Sequence, residues 1–298
     1  MELRPTKLMK ENRIYYEEME SAVGLLEWCA RFVEWWGIEC YEPQRFLHGK
    51  LRKANQGRLR RVPTAVVEAF RAVRDAVESE SGGQMLSDPV YSHPGDAVSG
   101  DASSKVGWGV VVGYTIYWGK WSPETIEAIG RMKTRKDDEA PSKSEEEPEE
   151  GERLVEGRRG NKVSISPLEA LVQAYVLRAV RSQCPEEVPN GNFYSRCDNL
   201  SSVQVVGAGR AKSPAMTEAL RIIREESRAG SDGKRWRMRL QHIGTQVNKV
   251  ADLLSRGDIE EARAMAAARW GRCVDGNLEQ DFVRGSESRV LNAIRLME

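Results

Sequence analysis

The sequence is poor in what a membrane or secreted chain needs. No stretch approaches the ~20 uninterrupted apolar residues that span a bilayer. The opening, Met1 to Arg13, has no apolar core of signal-peptide type. Cysteine is sparse: Cys29, Cys40, Cys184, Cys197 and Cys273 are odd in number and never in C-x-x-C spacing. That argues against a disulfide framework and against a cysteine-type zinc site, and it favours a reducing, intracellular compartment, cytoplasmic or nuclear. Net charge is missing as well. The 298 residues carry 45 Lys+Arg against 45 Asp+Glu, a balance that at first sight argues against a nucleic-acid partner. The length suits one large domain or two ordinary ones.

The balance is an average over unlike segments. Asp137 to Glu150 holds eight acids against the single base Lys143, with two prolines and no aliphatic side chain larger than alanine. Such a run cannot bury enough surface to offset ordering entropy, so residues 133–161 are expected to form a disordered acidic insertion. The remainder is basic. Gln44 to Arg74 carries nine bases and one acid, and Ala208 to Arg239 nine bases and four acids. Stretches of this kind suit phosphate contact, although a solvated helix face would have the same composition.

Spacing sets the expected elements. Met19, Ala22, Val23, Leu26, Cys29, Ala30, Val33 and Trp36 predict an amphipathic helix over about 11–36, followed by a basic linker. Pro63 opens a second helix with an apolar face of Val66, Ala69, Phe70, Val73 and Val77, and Gly82-Gly83 with Pro89 marks a boundary. From about Val98, β-branched and aromatic residues predict strands over 107–114 and 115–121. Lys162 to Ile165 reads as a short extended piece. Ser166, Pro167 and Glu169 then read as N-cap, N1 and N3 of a helix to about Arg181. A strand is expected at 193–198, helices at 200–207 and 214–227, a strand at 236–243 and a helix over Val247–Ser255 that could continue through Ala262 to Trp270. The order β-β-β-α-β-α-α-β-α implies an α/β (α+β) fold with a mixed sheet covered by helices. The tail from Cys273 has a weak helical pattern and no assigned function.

Four acids fall at the edges of these elements: Asp101 on the first strand, Glu169 in a helix's first turn, Asp198 at a strand end and Asp252 in the last helix. Carboxylates gathered in this way can hold two Mg²⁺, a hard and oxygen-seeking ion, for phosphodiester chemistry. Each acid also has a structural alternative. Glu169 would close a capping box with Ser166, Asp198 or Asn199 would be an N-cap, Asp101 a turn residue, and Asp252 a surface helix acid.

Taken together, the pieces resemble the type-1 ribonuclease H domain attached to retroelement reverse transcriptases of the DIRS/Ngaro-like and gypsy-like kinds. The matching residues are Asp101-Ala-Ser with Gly107-Trp-Gly, Ile165-Ser-Pro-Leu-Glu169-Ala-Leu, Cys197-Asp198-Asn199 with Val203 and Gly209-Arg, His242-Ile-Gly, and Asn248-x-x-Ala-Asp252-x-Leu-Ser-Arg. They span about half the chain. The resemblance implies a ribonuclease H-like fold over 96–256, preceded by a small helical segment similar to a thumb/connection tether over 1–85 and followed by a helical tail over 257–298. It implies an enzyme that cuts the RNA strand of RNA–DNA hybrids, with Asp101, Glu169, Asp198 and Asp252 both catalytic and metal-binding for two Mg²⁺, or Mn²⁺ in their place. Asn199, Arg210, Lys212 and Asn248 would contact nucleic acid, and a separate reverse-transcriptase polymerase is a second expected partner, with no membrane contact.

Two departures from that family bear on function. No Y-x-D-D polymerase signature occurs, so the chain is not expected to polymerise. The loop Gly244 to Val247 lacks the histidine that many members carry, and His242 lies earlier, where a structural or backbone contact is expected. The reading from another functional class is a non-catalytic nucleic-acid-binding or scaffold protein that retains the fold.

Overall fold

A computed structural model describes residues 13–29, 38, 40–51, 59–79, 98–137, 165–188, 190–211, 213–228 and 236–297. The chain runs β1 (Arg13–Ile14), α1 (Tyr16–Cys29), α2 (Tyr41–Arg45), a π-helical turn (Phe46–Leu51), β2 (Arg60–Arg61), α3 (Thr64–Ser79), β3 (Val98–Ala102), β4 (Gly107–Val112), β5 (Thr115–Lys120) and α4 (Pro123–Asp137). It continues with α5 (Ser166–Gln183), β6 (Asn192–Cys197), α6 (Leu200–Ala208), α7 (Pro214–Arg228), β7 (Arg237–His242), α8 (Lys249–Arg256), α9 (Ile259–Trp270), β8 (Val274–Asp275) and α10 (Gln280–Arg295).

Six strands form one mixed sheet in the order β7-β6-β3-β4-β5-β8. The hairpins β3/β4 and β4/β5 are antiparallel, whereas β3/β6, β6/β7 and β5/β8 are parallel. This mixed α/β arrangement is consistent with the ribonuclease H-like layout that the resemblance implies. Among the described residues no helix is long and apolar enough to cross a membrane.

Two glycines let helices reach the sheet from opposite faces. A β-carbon on Gly100 of β3 would stand 2.7 Å from Val172 and 2.9 Å from Val176, so α5 lies almost on the strand backbone. Across the ladder Gly109 of β4 faces the other way, where a β-carbon would meet the Ala251 carbonyl and the Leu254 side chain at 2.5 Å. That seats α8. The α5 face is the larger core: Leu168, Leu171, Val172, Tyr175 and Val176 are buried with Val98, Trp108, Val110 and Phe193. Beneath α8, Val111 and Ile116 pack with Val250, Leu253 and Leu254.

Several expected boundaries change. The first helix begins at Tyr16 rather than near Glu11, because Arg13–Ile14 pair with Arg60–Arg61 as a small ribbon. Part of the expected basic linker is helical (α2 and the π-helical turn), because Phe46 and Leu47 bury against Ile14, Met19, Val23 and Val66 in a separate cluster. Residues 133–137, assigned to the acidic insertion, belong to α4, whose start the sequence marks with Ser122-Pro123-Glu124. The rest of that insertion, the extended piece at 162–164, the boundary at 82–89 and Lys212 lie outside the described residues.

The expected tail joins the main body. Its strand β8 pairs with β5, and Val283, Val290, Leu291 and Ile294 of α10 enter the larger core. Two polar bonds fasten it: the Tyr175 hydroxyl donates to the Val283 carbonyl at 3.2 Å, and the Ser122 backbone N–H donates to Glu287 at 2.7 Å.

The glycine contacts set an expected contrast. Gly109→Ala destabilises by about 1–3 kcal/mol through overpacking against α8. Gly130→Ala, in the middle of α4 with open space around its α-carbon, is neutral or stabilises by up to ~1 kcal/mol through helix propensity. Urea unfolding of both variants checks the pair.

Candidate active site

The carboxyl ends of β3 and β6 point the same way because the strands are parallel, with Ser99 opposite Arg196. Two residues further along each chain, Asp101 and Asp198 therefore reach the same level of the sheet edge. Glu169 arrives from the first turn of α5 and Asp252 from α8, the two helices seated by Gly100 and Gly109. Three of these acids are nearly inaccessible, with Asp101 6%, Glu169 5% and Asp252 6% exposed, and Asp198 is half-buried.

The local structural alternatives resolve residue by residue. Ser166 does not cap α5: the N-cap position is Ile165, no side chain caps it, and Glu169 does not close a capping box. Instead Glu169 accepts the backbone N–H of Ala102 at the end of β3, while its Oε2 is buried with no hydrogen-bond partner. Asn199 takes the capping role at α6, its side chain accepting the Ser202 N–H at 3.0 Å, which leaves the Asp198 carboxylate outside the cap. Asp101 is a strand residue opposite Gly109, not part of a turn. Asp252 is buried rather than on the helix surface.

Burial, and after it neighbouring charge, sets the electrostatics of these acids. Burial raises Asp101 to about 6, opposed by the hydrogen bond from the Ser255 hydroxyl and reinforced by the charges of Asp198 and Asp252. Glu169 is pushed well above the usual carboxylate range by burial, then by Asp101, Asp198 and Asp252, with the Ala102 N–H acting against them. On both groups burial acts first and the neighbouring carboxylates add to it. Asp252 is partly neutralised: Arg256 Nε lies 2.6 Å and Lys249 Nζ 3.6 Å from its two oxygens.

The other expected contact residues divide. Arg210 is exposed just past α6. Asn248, expected at the nucleic acid, is only 2% exposed and its amide nitrogen donates to the Gly100 carbonyl at 3.4 Å, so it ties α8 to β3 from within. His242 Nε2 donates to the Asp198 carbonyl at 3.2 Å. Sequence reasoning missed Ser255, Arg256 and Lys249 as supports, and Cys197 as a neighbour. The i,i+4 spacing of Asp252 and Arg256 was a legible signal. The bond from Ser255 to Asp101 crosses 154 positions and left no local trace.

Hard divalent cations fit this donor set. Glu169 Oε2 is a buried carboxylate oxygen without a donor, and burial with neighbouring carboxylates raises both Glu169 and Asp101, features that suit a hard cation. Among the described residues, Glu169 and Asp198, with Cys197, bring ligand atoms within 4.8 Å of one another, and Asp101 and Asp252 stand outside that group.

The raised acids predict a pH signature in metal-free buffer. Unfolded Asp101 titrates near its ordinary value of 3.8 and folded Asp101 near 6, so between these values the native state binds more protons. Native stability therefore falls as pH rises through that window, by up to roughly 3 kcal/mol for this group. Asp101→Asn keeps an acceptor for Ser255 and removes the penalty. It stabilises little at pH 4 and most above pH 7, as denaturant unfolding at the two pH values would show.

No protein-family model, curated protein or solved structure matches this chain.

Proposed function

We propose that this protein is a divalent-cation-dependent endonuclease that cuts the RNA strand of RNA–DNA hybrids. The observation that carries the reading is the meeting of Asp101, Glu169, Asp198 and Asp252, drawn from two strand ends and two helices, with Glu169 Oε2 left without a donor. Structural acids find partners inside the fold, whereas acids that repel one another in a buried edge call for cations.

Two Mg²⁺, or Mn²⁺ in their place, would supply activation of water on one side of a phosphodiester and charge neutralisation at the departing oxygen on the other. The chain's own residues do the positioning. Ser255 holds the Asp101 carboxylate by its hydroxyl, and the Ala102 N–H holds one oxygen of Glu169. His242, at the Asp198 carbonyl, and the Asn199 cap fix the backbone that follows the Asp198 side chain. Arg256 and Lys249 hold the Asp252 carboxylate in place by ion pairs. Arg210, exposed past α6, would meet phosphate, and recognition of the hybrid would rest on shape and 2′-hydroxyl contacts rather than sequence. A separate polymerase and an intracellular setting complete this reading.

One observation favours the alternative of a non-catalytic nucleic-acid-binding or scaffold protein: Asp252 has cationic partners of its own on α8. Cleavage separates the two. With an end-labelled hybrid, Mg²⁺ supports cutting of the RNA strand, EDTA abolishes it, and Asp198→Asn or Glu169→Gln lowers the rate by roughly 100-fold or more. Equal activity of variant and wild type, or no cleavage by either, refutes the nuclease reading. Salt-sensitive hybrid binding without cleavage in Mg²⁺ or Mn²⁺ selects the alternative.

A further inference from the structure

The acidic cluster includes one donor of a different kind. Cys197 closes β6, and two residues before it the Ser195 hydroxyl donates to Gln173 of α5 at 3.1 Å. Alternation along the strand puts Cys197 on that same face, toward the helix that carries Glu169. Asp198 lies one residue beyond the strand, where the chain turns into α6 beneath the Asn199 cap. There adjacent side chains are released from pointing to opposite faces. As a result, Cys197 Sγ and one carboxylate oxygen from each of Glu169 and Asp198 all lie within 4.8 Å of one another. The sulfur is wholly buried, its hydrogen bond to the Asn199 carbonyl is long at 3.8 Å, and Glu169 Oε2 is buried without a donor.

Hardness sorts these donors. Mg²⁺ and Mn²⁺ select carboxylate oxygen, whereas Zn²⁺ and Cd²⁺ take thiolate and carboxylate together, and Zn²⁺ is often held by three protein groups with a fourth position open. We propose that Glu169, Cys197 and Asp198 form a thiophilic metal site overlapping the acidic one, at which Zn²⁺ or Cd²⁺ excludes Mg²⁺ and switches the centre off. Exclusion follows because both kinds of ion need the same two carboxylates. The sulfur–metal bond forms as the thiol proton passes to buffer, with no change in oxidation state. The inhibitory consequence rests on the nuclease reading, whereas the site itself does not. The spacing of cysteines along the chain argues against a cysteine-type zinc site. This one escapes that argument because it draws a single sulfur and completes the set with acids from two elements.

The test is titration of the full chain with Cd²⁺, followed by thiolate-to-metal charge-transfer absorption, with Cys197→Ser and Glu169→Gln beside wild type. Wild type is expected to take up one Cd²⁺ with the band, and added Mg²⁺ raises the Cd²⁺ needed, a readout that requires no variant. Cys197→Ser binds Cd²⁺ at least about tenfold more weakly and without the band, while Mg²⁺ still raises its melting temperature. Glu169→Gln keeps the sulfur and weakens band formation. No band in wild type, or an equal band in Cys197→Ser arising from another cysteine, overturns the proposal. Hybrid cleavage measured in parallel separates the two claims. A band without cleavage in any metal keeps the site and defeats the nuclease reading, whereas Mg²⁺-dependent cleavage without a band does the reverse.

Discussion

Burial of carboxylates beside other carboxylates is the constraint on which the rest of this structure turns. At the carboxyl edge of the sheet burial disfavours ionisation of Asp101 and Glu169, and the charges of Asp198 and Asp252 add to that effect. Such an arrangement lowers native stability at neutral pH, and the fold must supply compensation elsewhere. It does so with the long helix α5, buried along most of its length, and with a core that continues into Trp108, Tyr175, Phe193 and the C-terminal helix α10. The acids themselves receive only partial relief, from Ser255, the Ala102 N–H, Arg256 and Lys249.

Precision at the site depends on backbone proximity more than on side-chain contacts. Gly100 and Gly109 sit on neighbouring strands and face opposite ways, so one helix descends onto each side of the same hairpin. Had either carried a side chain, its helix would ride higher and the acid it carries would withdraw from the edge. The close seat of α8 also allows Ser255 to reach Asp101 and Asn248 to reach the Gly100 carbonyl. Residues that look like ligands in the sequence thus divide into those that face the edge and those that hold it in place, and Asn248 and Asn199 belong to the second group.

The C-terminal segment changes meaning in three dimensions. Its helical spacing around Val290 and Ile294 is weak as a pattern, yet those residues are buried against α5 and α7, and Val274–Asp275 extends the sheet beyond β5. Short strands of two residues carry no periodic signal, which is why β8, like β1 and β2, was not legible. Helix α4 was missed for another reason. Its start has clear cap chemistry, but its far end merges into the acidic run, and composition there outweighed the local signal.

By itself the sequence determined the alternation of strands and helices, the polarised charge distribution and the order in which four acids occur along the chain. Those follow from periodicity and local cap chemistry, which act over a few residues. Only the tertiary structure decided that Glu169 is not spent on a capping box, that Asn199 rather than Asp198 caps α6, and that Cys197 stands beside two carboxylates. These outcomes depend on strand register and on how closely α5 and α8 approach the sheet. Both are set by contacts between residues far apart in the chain, and local pattern carries no record of such distances.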